Sequence, residues 1–176
     1  SALTRGTHSI LDNKQLIKEA AFPRELIPLS VVCAHLVNFI PSIGIIFIFL
    51  AIFNVTVSAY WWLLPFVVLL HFIFILGITL ISASLQVRLR DFQYCVEIII
   101  FTLFYLTPVF YPLSLVRENF SGIVFKLYLI NPLVGMLNLY RFCFLNGFLD
   151  TLPADVGLFE LVGIPIIGTL LLLWGG

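Results

Sequence analysis

Four apolar segments separated by short polar breaks dominate the chain, and they run over residues 29–53, 61–87, 94–115 and 156–176. Each is about as long as the ~20 residues that a helix needs to cross the ~30 Å hydrocarbon core of a bilayer. Because hydrocarbon offers no hydrogen-bond partner to a polypeptide backbone, such segments are stable in a membrane only as helices. The sequence therefore predicts an all-α fold, a polytopic transmembrane helix bundle.

The composition of the chain is that of a membrane protein. Of its 176 residues, 61% are hydrophobic and 10% are charged, whereas soluble domains carry about 25% charged residues. The formal net charge is 0, which gives no reason to expect a nucleic-acid partner. We interpret residues 1–176 as one transmembrane domain, and as part of a longer chain, since the sequence starts at Ser1 and is still apolar at Trp174.

The sequence carries no recognisable catalytic or metal-binding motif. It has no glycine-rich phosphate loop, no HExxH or GxSxG pattern and no paired carboxylates. Cys33, Cys95 and Cys143 lie far apart and form no CxxC pattern. We therefore expect no enzyme and no cofactor in this chain, and any ATP-driven work would require a second protein that binds the nucleotide.

Lysine and arginine are unevenly distributed between the polar breaks, and cytosolic loops of membrane proteins favour these residues. Six lie in residues 1–25 and 88–91, and three lie in residues 117–155. This imbalance predicts that Ser1–Glu25 and Arg88–Asp91 are cytosolic. Asn54–Tyr60 and Arg117–Asp155 would then lie on the outer side.

The stretch from Ile123 to Leu149 is long enough to cross a bilayer, but polar residues interrupt it. Pro132 lacks a backbone N–H and disfavours helix at Asn131, which predicts two short helices, Gly122–Ile130 and Leu133–Phe144. We interpret residues 122–149 as re-entrant half-helices that enter from the outer side before the last span. The alternative is one full span, which would place Asp150–Asp155 in the cytosol.

Several polar residues fall inside the apolar segments. Glu97 is followed on one helix face by Phe101, Phe104 and Tyr105. Since a carboxylate near lipid is costly, Glu97 is predicted to face the bundle interior or to pair with Arg88 or Arg90. Other polar residues are predicted to form interhelical hydrogen bonds, with a proton relay as the alternative; these are His35, Asn38 and His71.

Two polar clusters lie on the predicted cytosolic side. The first is a short amphipathic stretch at residues 13–29, stiffened by Pro23 and Pro28, and the second is Arg88–Asp91. Each can be explained as a simple interfacial anchor. Alternatively, the first transmits force from a soluble partner and the second is a docking edge for it.

An ordered set of motifs resembles the permease subunits of type-2 ABC (ABC-2) exporters. In chain order they are Asn13 with Leu16–Lys18, Phe22–Glu25, Pro28-Leu29, Arg90-Asp91, the exit Thr107–Pro112, Asn131–Leu133 and Tyr140-Arg141. The resemblance covers nearly the whole chain. It is strongest to the polysaccharide branch, which exports O-antigen, teichoic acid or capsule.

The resemblance implies a homodimeric, multi-pass permease of the bacterial inner or plasma membrane, bound to two copies of a separate ABC ATPase. Residues at or near the ATPase contact would be Lys18, Phe22, Pro23, Arg24, Glu25, Arg90 and Asp91. Tyr105, Phe110 and Tyr111 would lie near the channel, where aromatic faces can stack on sugar rings, and Glu97 and Phe101 are further lining candidates. Asn131, Pro132 and Arg141 would fall in the outer gate, where Arg141 would meet an acidic group of the cargo or reach back to the interface.

The predicted function is ATP-driven export of a lipid-linked polysaccharide. One alternative keeps the architecture but moves a drug or another small hydrophobic cargo. A second is a membrane-embedded enzyme of glycan or lipid assembly, which would need carboxylates or histidines clustered at one interface. A third is a structural anchor, which would not explain the polar residues in the broken outer segment.

Overall fold

The computed structural model describes residues 1–12, 26–89, 91–120, 122–153, 156–157 and 159–175. Within these ranges the chain is helical, and β-pairing is limited to one isolated antiparallel bridge between Val57 and Leu145. The α-helices are α1 Ala2–Asp12, α2 Leu26–Ile52, α3 Leu64–Arg88, α4 Phe92–Leu106, α5 Leu113–Asn119, α6 Ile123–Leu129, α7 Pro132–Phe144 and α8 Ile164–Gly175. A 3-10 turn, Trp61–Leu63, leads into α3, a second, Phe148–Thr151, follows α7, and a π-helical turn, Phe159–Gly163, leads into α8.

Two of the described helices are long and apolar enough to cross a bilayer by themselves. They are α2, with 27 residues, and the stretch Trp61–Arg88, with 28 residues. The pair α6 and α7 meets the same criteria when taken together, but it is bent by 72°. Since α4 and the final helix are shorter, the number of crossings stays a prediction.

The third apolar segment is helical over a shorter range than residues 94–115. Helix α4 ends at Leu106, and the backbone from Thr107 to Pro112 is irregular before α5 begins. Thr107 precedes Pro108, and a residue before proline is driven out of the helical region. Pro112 has φ −75° and ψ 153°, an extended conformation that separates α5 from the preceding chain. Two prolines therefore divide one hydropathic segment into a helix, a linker and a single short helix.

Helix α2 is strongly apolar, and its most hydrophobic window has none of its residues buried within the single chain. Such a helix needs lipid or another protein around it. Pro41 lies inside this helix. Its surface marks α2 as a membrane-facing or partner-facing element.

The chain divides into two compact units. The first contains Ser1–Phe47, Phe72–Thr102 and Leu170–Gly176, and the second contains Ile48–His71 and Leu103–Thr169. In the first unit, α1 packs closely on α3, because a Cβ on Gly6 would collide with the methyl group of Thr79. Thr79 and Ala83 are fully buried, as expected of small residues spaced four apart on a packing face.

The second unit is built around an apolar cluster from α5, α6 and α7. Its buried members are Leu113, Val116, Phe125, Leu129 and Val134. Helix α8 also approaches α7 closely in this unit, since a Cβ on Gly135 would lie 2.5 Å from Pro165 Cγ. The bent pair α6–α7 therefore packs against α5 and α8.

The end of α7 lies beside the loop that joins α2 to α3. The backbone N–H of Asn146 donates to the carbonyl oxygen of Thr56 at 3.3 Å, and that of Ser58 donates to the carbonyl oxygen of Phe144 at 3.4 Å. The rings of Tyr60 and Phe142 stack with centroids 4.7 Å apart. These contacts place the end of α7 beside the loop between α2 and α3. Whether residues 122–149 are re-entrant or form one broken span stays a prediction.

Candidate functional site

Most of the predicted ATPase contact lies outside the described residues: Lys18, Phe22, Pro23, Arg24, Glu25 and Arg90. Asp91 is described, and it lies exposed immediately before α4. Its carbonyl oxygen accepts a hydrogen bond from the backbone N–H of Tyr94 at 3.2 Å, which forms part of the first turn of α4. The docking role of these residues stays a prediction.

The polar and aromatic stripe of α4 is exposed in the single chain. Phe101 is 66% exposed and Tyr105 is 61% exposed, and Glu97 is also exposed. Within the described ranges Glu97 forms no ion pair with Arg88. Glu97 thus lies on an exposed helix face of the single chain, and its other predicted partner, Arg90, lies outside the described residues. The predicted position of Glu97 in the bundle interior or in an ion pair stays a prediction.

Aromatic rings cluster where α4 ends. Phe104 contacts both Tyr105 and Phe110 edge to face, with centroids 5.6 Å apart in each case. Phe110 is 78% exposed. Edge-to-face pairs hold rings in defined orientations while leaving other faces open. The predicted channel aromatics Tyr105 and Phe110 are therefore brought together through Phe104.

A groove of about 520 Å³ lies beside this cluster, between the end of α4 and helices α5 and α6. The groove is lined by three tyrosines, Tyr105, Tyr111 and Tyr128, and by apolar side chains that include Leu115 and Val124. The Tyr111 hydroxyl donates to the carbonyl oxygen of Tyr105 at 3.1 Å and lies 3.3 Å from the Tyr128 hydroxyl. Tyrosines with linked hydroxyls offer both ring faces and hydrogen-bonding groups, which is the chemistry that suits a sugar.

Arg141 joins α7 to the segment that follows α4. Its Nη2 donates to the carbonyl oxygens of Pro108 and Val109, the latter at 3.1 Å. The side chain is therefore engaged with main-chain acceptors, and neither of the two roles expected for Arg141 describes this contact. The guanidinium thereby holds α7, which is part of the predicted outer gate, against the segment that follows α4.

Asn131 and Pro132 start α7 after the bend. The Asn131 side-chain oxygen accepts a hydrogen bond from the backbone N–H of Leu133 at 3.1 Å, and Pro132 occupies the first turn. This is a standard helix N-cap with proline where its missing N–H is not needed. Gly168 of α8 approaches Pro132, since a Cβ there would lie 3.1 Å from Pro132 Cβ. These residues shape and pack the bend.

His71 forms the interhelical contact that the sequence predicted. Its Nδ1 lies 3.1 Å from the hydroxyl of Tyr140, and the two rings meet edge to face. The sequence did not identify Tyr140 as this partner, nor Tyr128 as a groove residue, since only the fold brings them to these positions. The contact ties α3 to α7 within the second unit.

His35 and Asn38 do not form the predicted interhelical hydrogen bonds within the described part of the chain. Both line an open cavity of about 570 Å³, together with Arg5 and His8 of α1. Among the described residues, no group of three histidine, cysteine or acidic side chains is placed so that it could hold a metal ion.

Comparisons with known proteins agree with these features. The family model described as "ABC-2 type transporter" matches residues 2–145. Two proteins of Klebsiella pneumoniae named "O-antigen export system permease protein RfbA" are each 34% identical over 151 residues, which is 85% of this chain and 57% of theirs. A protein of the same name from Myxococcus xanthus is 29% identical over 169 residues, 96% of this chain and 62% of its own. The chain thus spans about three fifths of the length of these relatives.

Proposed function

Because the chain belongs to the ABC-2 type transporter family, we propose that it forms part of the membrane subunit of an ATP-driven exporter of lipid-linked polysaccharide. Family membership and the apolar helices make it a multi-pass bacterial membrane protein and a transport permease rather than a catalytic enzyme. The observation that carries the cargo proposal is the 34% identity, over 85% of this chain, to permeases named for O-antigen export.

The geometry of the second unit supports this cargo class. A sugar chain presents flat apolar ring faces and many hydroxyl groups, and tyrosine matches both features. The groove beside Tyr105, Tyr111 and Tyr128 supplies this chemistry where α4 ends. We assign this groove, with Phe101, Phe110 and Glu97 nearby along α4, to the cargo path.

The bent pair α6–α7 serves in this proposal as the outer gate. Asn131 and Pro132 fix its bend, and Arg141 fastens α7 to the exit segment of α4. Opening of the gate would either separate Arg141 from the carbonyl oxygens of Pro108 and Val109 or shift Arg141 and these carbonyls as one unit.

Energy comes from a partner in this proposal, because no phosphate-binding loop occurs in the sequence. We propose a permease homodimer with two ABC ATPase subunits, which bind the ATP. The contact would include Lys18 and Phe22–Glu25 together with Arg90 and Asp91. The exposed surfaces of α2 and α4 provide area for a second permease subunit.

The direct test is deletion of the full-length gene in its own bacterium. We expect surface polysaccharide to disappear while lipid-linked polysaccharide accumulates on the cytosolic side, and we expect the full-length gene to restore export. A strain whose ABC ATPase cannot hydrolyse ATP should show the same accumulation. Normal surface polysaccharide with altered sensitivity to hydrophobic drugs would contradict the cargo proposal.

A further inference from the structure

Asn138 lies in the middle of α7 and is buried, with only 1% of its surface exposed. Its side-chain oxygen Oδ1 is enclosed and has no hydrogen-bond partner among the described residues. Such atoms are rare in folded proteins, because an enclosed polar atom without a partner loses its hydrogen bonds to water and gains none in return. The packing around Asn138 therefore carries a free-energy penalty that can be assigned to one atom.

Helix α7 places Asn138 on the side that meets the start of α8. Asn138 follows Gly135 by three residues, and the N-cap Asn131 precedes Gly135 by four, so the three lie on one side of the helix. On this side Gly135 lies against Pro165 and the carbonyl oxygen of Glu160. The Nδ2 of Asn131 is likewise enclosed without a partner among the described residues. Polar atoms that lack partners thus lie on both sides of Gly135 along this contact.

The element opposite this side of α7 is the π-helical turn Phe159–Gly163, and α7 packs against it. Pro165 follows in the first turn of α8. Because proline has no N–H, it donates neither an α-helical hydrogen bond to the carbonyl oxygen of Leu161 nor a π-helical one to that of Glu160. π-helical turns and prolines are places where helices bend. The π-helical turn is therefore held less firmly than a continuous helix would be.

The contact between α7 and the π-helical turn is built so that it can separate. An enclosed oxygen without a partner makes it less stable than an apolar contact of the same shape. Separation removes this penalty, because water can then donate a hydrogen bond to Asn138 Oδ1. Gly135 presents no side chain that would interlock the two surfaces. The same contact thus combines a driving force for separation with a surface and a turn that permit it.

We propose that Asn138 favours opening of the gate: α7 separates from the π-helical turn, and water then hydrogen-bonds to Asn138 Oδ1. This inference rests on the gate role that the proposed function gives to α6–α7. A contact that is destabilised by one enclosed atom needs less energy from the ATPase to open. Melting and hydrogen exchange of the protein need no cargo, so these measurements can contradict the role of Asn138 while the export of polysaccharide stands.

The first test uses two substitutions that should act in opposite directions in the full-length permease with its ATPase. Asn138→Leu removes the enclosed amide at a similar volume, so the melting temperature should rise by at least about 2 °C. Asn138→Asp keeps an enclosed oxygen and adds the cost of a buried carboxyl group, so the melting temperature should fall by at least about 2 °C. If Asn138→Leu melts at or below the temperature of the unaltered protein, or does not fold, the amide stabilises the contact and the proposal is overturned.

Hydrogen exchange of backbone amides measures the separation itself. Amides of the π-helical turn should exchange at least about threefold more slowly in Asn138→Leu, and at least about threefold faster in Asn138→Asp, than in the unaltered protein. Amides of α3, which belongs mostly to the other unit, should exchange equally in all three proteins. Unchanged exchange of the π-helical turn in both variants would show that Asn138 does not control its separation from α7, and it would overturn the proposal.

Export provides the functional measurement. Ser84→Leu is the control, because it places a leucine at an exposed polar position of α3. Surface polysaccharide per unit of membrane-inserted protein should be at least about threefold lower in Asn138→Leu than in this control, because a more stable closed contact lowers the population of the open gate. Equal export by the two variants would overturn the role of this contact in gating. An unaltered permease that exports no polysaccharide would instead contradict the proposed function.

Discussion

The guanidinium of Arg141 binds two main-chain carbonyl oxygens at the point where the chain leaves α4. These carbonyls belong to the irregular segment after Leu106, where no helix supplies backbone donors for them. A charged donor shared by two such acceptors stabilises both the segment and the position of α7. The residue thus joins α7 to the segment that follows α4.

Replacement of Arg141 by glutamine should remove this clamp. Hydrogen bonds to charged groups contribute about 1.5–3 kcal/mol, so we expect a lower melting temperature of the purified permease and reduced export. The melting temperature is measured by differential scanning fluorimetry, with Lys126→Gln as a control for loss of an exposed cation from α6. A melting temperature equal to that of the control would show that the clamp does not stabilise the protein.

Tyr105 provides a test of the cargo path, because its side chain is 61% exposed and contributes little to the core. If its ring contacts sugar, Tyr105→Ala should slow export about two- to tenfold, the effect of losing one favourable aromatic contact. Export is measured as surface polysaccharide per unit of membrane-inserted protein. Phe66→Ala removes a similarly exposed ring from α3 (56% exposed) and should have no effect. Equal loss in both variants would assign Tyr105 to packing.

At the residue level, sequence identified some contacts and missed their partners. His71 was predicted to form an interhelical hydrogen bond, but Tyr140 lies 69 positions away and only folding brings it near. The acceptors of Arg141 are main-chain carbonyl oxygens, and the pattern of side chains in a sequence does not predict which carbonyl oxygens an arginine will contact. For His35 and Asn38 the interhelical hydrogen bonds stay a prediction, since a spacing of three residues shows that they share a face but not which groups that face meets.

The helices α6 and α7 form one bent element whose boundaries follow from local chemistry. Asn131 caps α7 and Pro132 occupies its first turn, and both features were readable from the sequence. The early end of α4 was marked by Pro108, yet the hydropathic segment continues past it, and apolarity alone predicted a longer helix. Hydropathy thus located the apolar stretches, while proline decided where the helices within them stop.

The close contact between α7 and α8 gives a prediction for this element. A Cβ on Gly135 would lie 2.5 Å from Pro165 Cγ and 3.1 Å from the carbonyl oxygen of Glu160, so Gly135→Ala should force the two helices apart. Overpacking of this kind costs about 1–3 kcal/mol, and we expect a lower melting temperature with less protein in the membrane. Gly44→Ala is the matched control, because nothing lies within 4 Å of its Cβ position. Equal stability of the two variants would contradict the packing described for the gate.

For the molecule as a whole, the sequence predicted the fold class and the family, and the structure adds contacts between Thr56, Ser58 and the end of α7, which hydropathy cannot show. The gate proposed for α6–α7 and the predicted cytosolic docking face both depend on which parts of the chain lie on each side of the membrane.

Accessibility labelling tests this arrangement most directly. In a background with Cys33, Cys95 and Cys143 replaced by alanine, single cysteines are introduced as Asp91→Cys and Asp150→Cys, and spheroplasts are treated with a membrane-impermeant maleimide. We expect Asp150→Cys to be labelled in intact spheroplasts and Asp91→Cys only after permeabilisation. Labelling of both positions from the same side would contradict the re-entrant geometry, and with it the outer gate and the export path built on it.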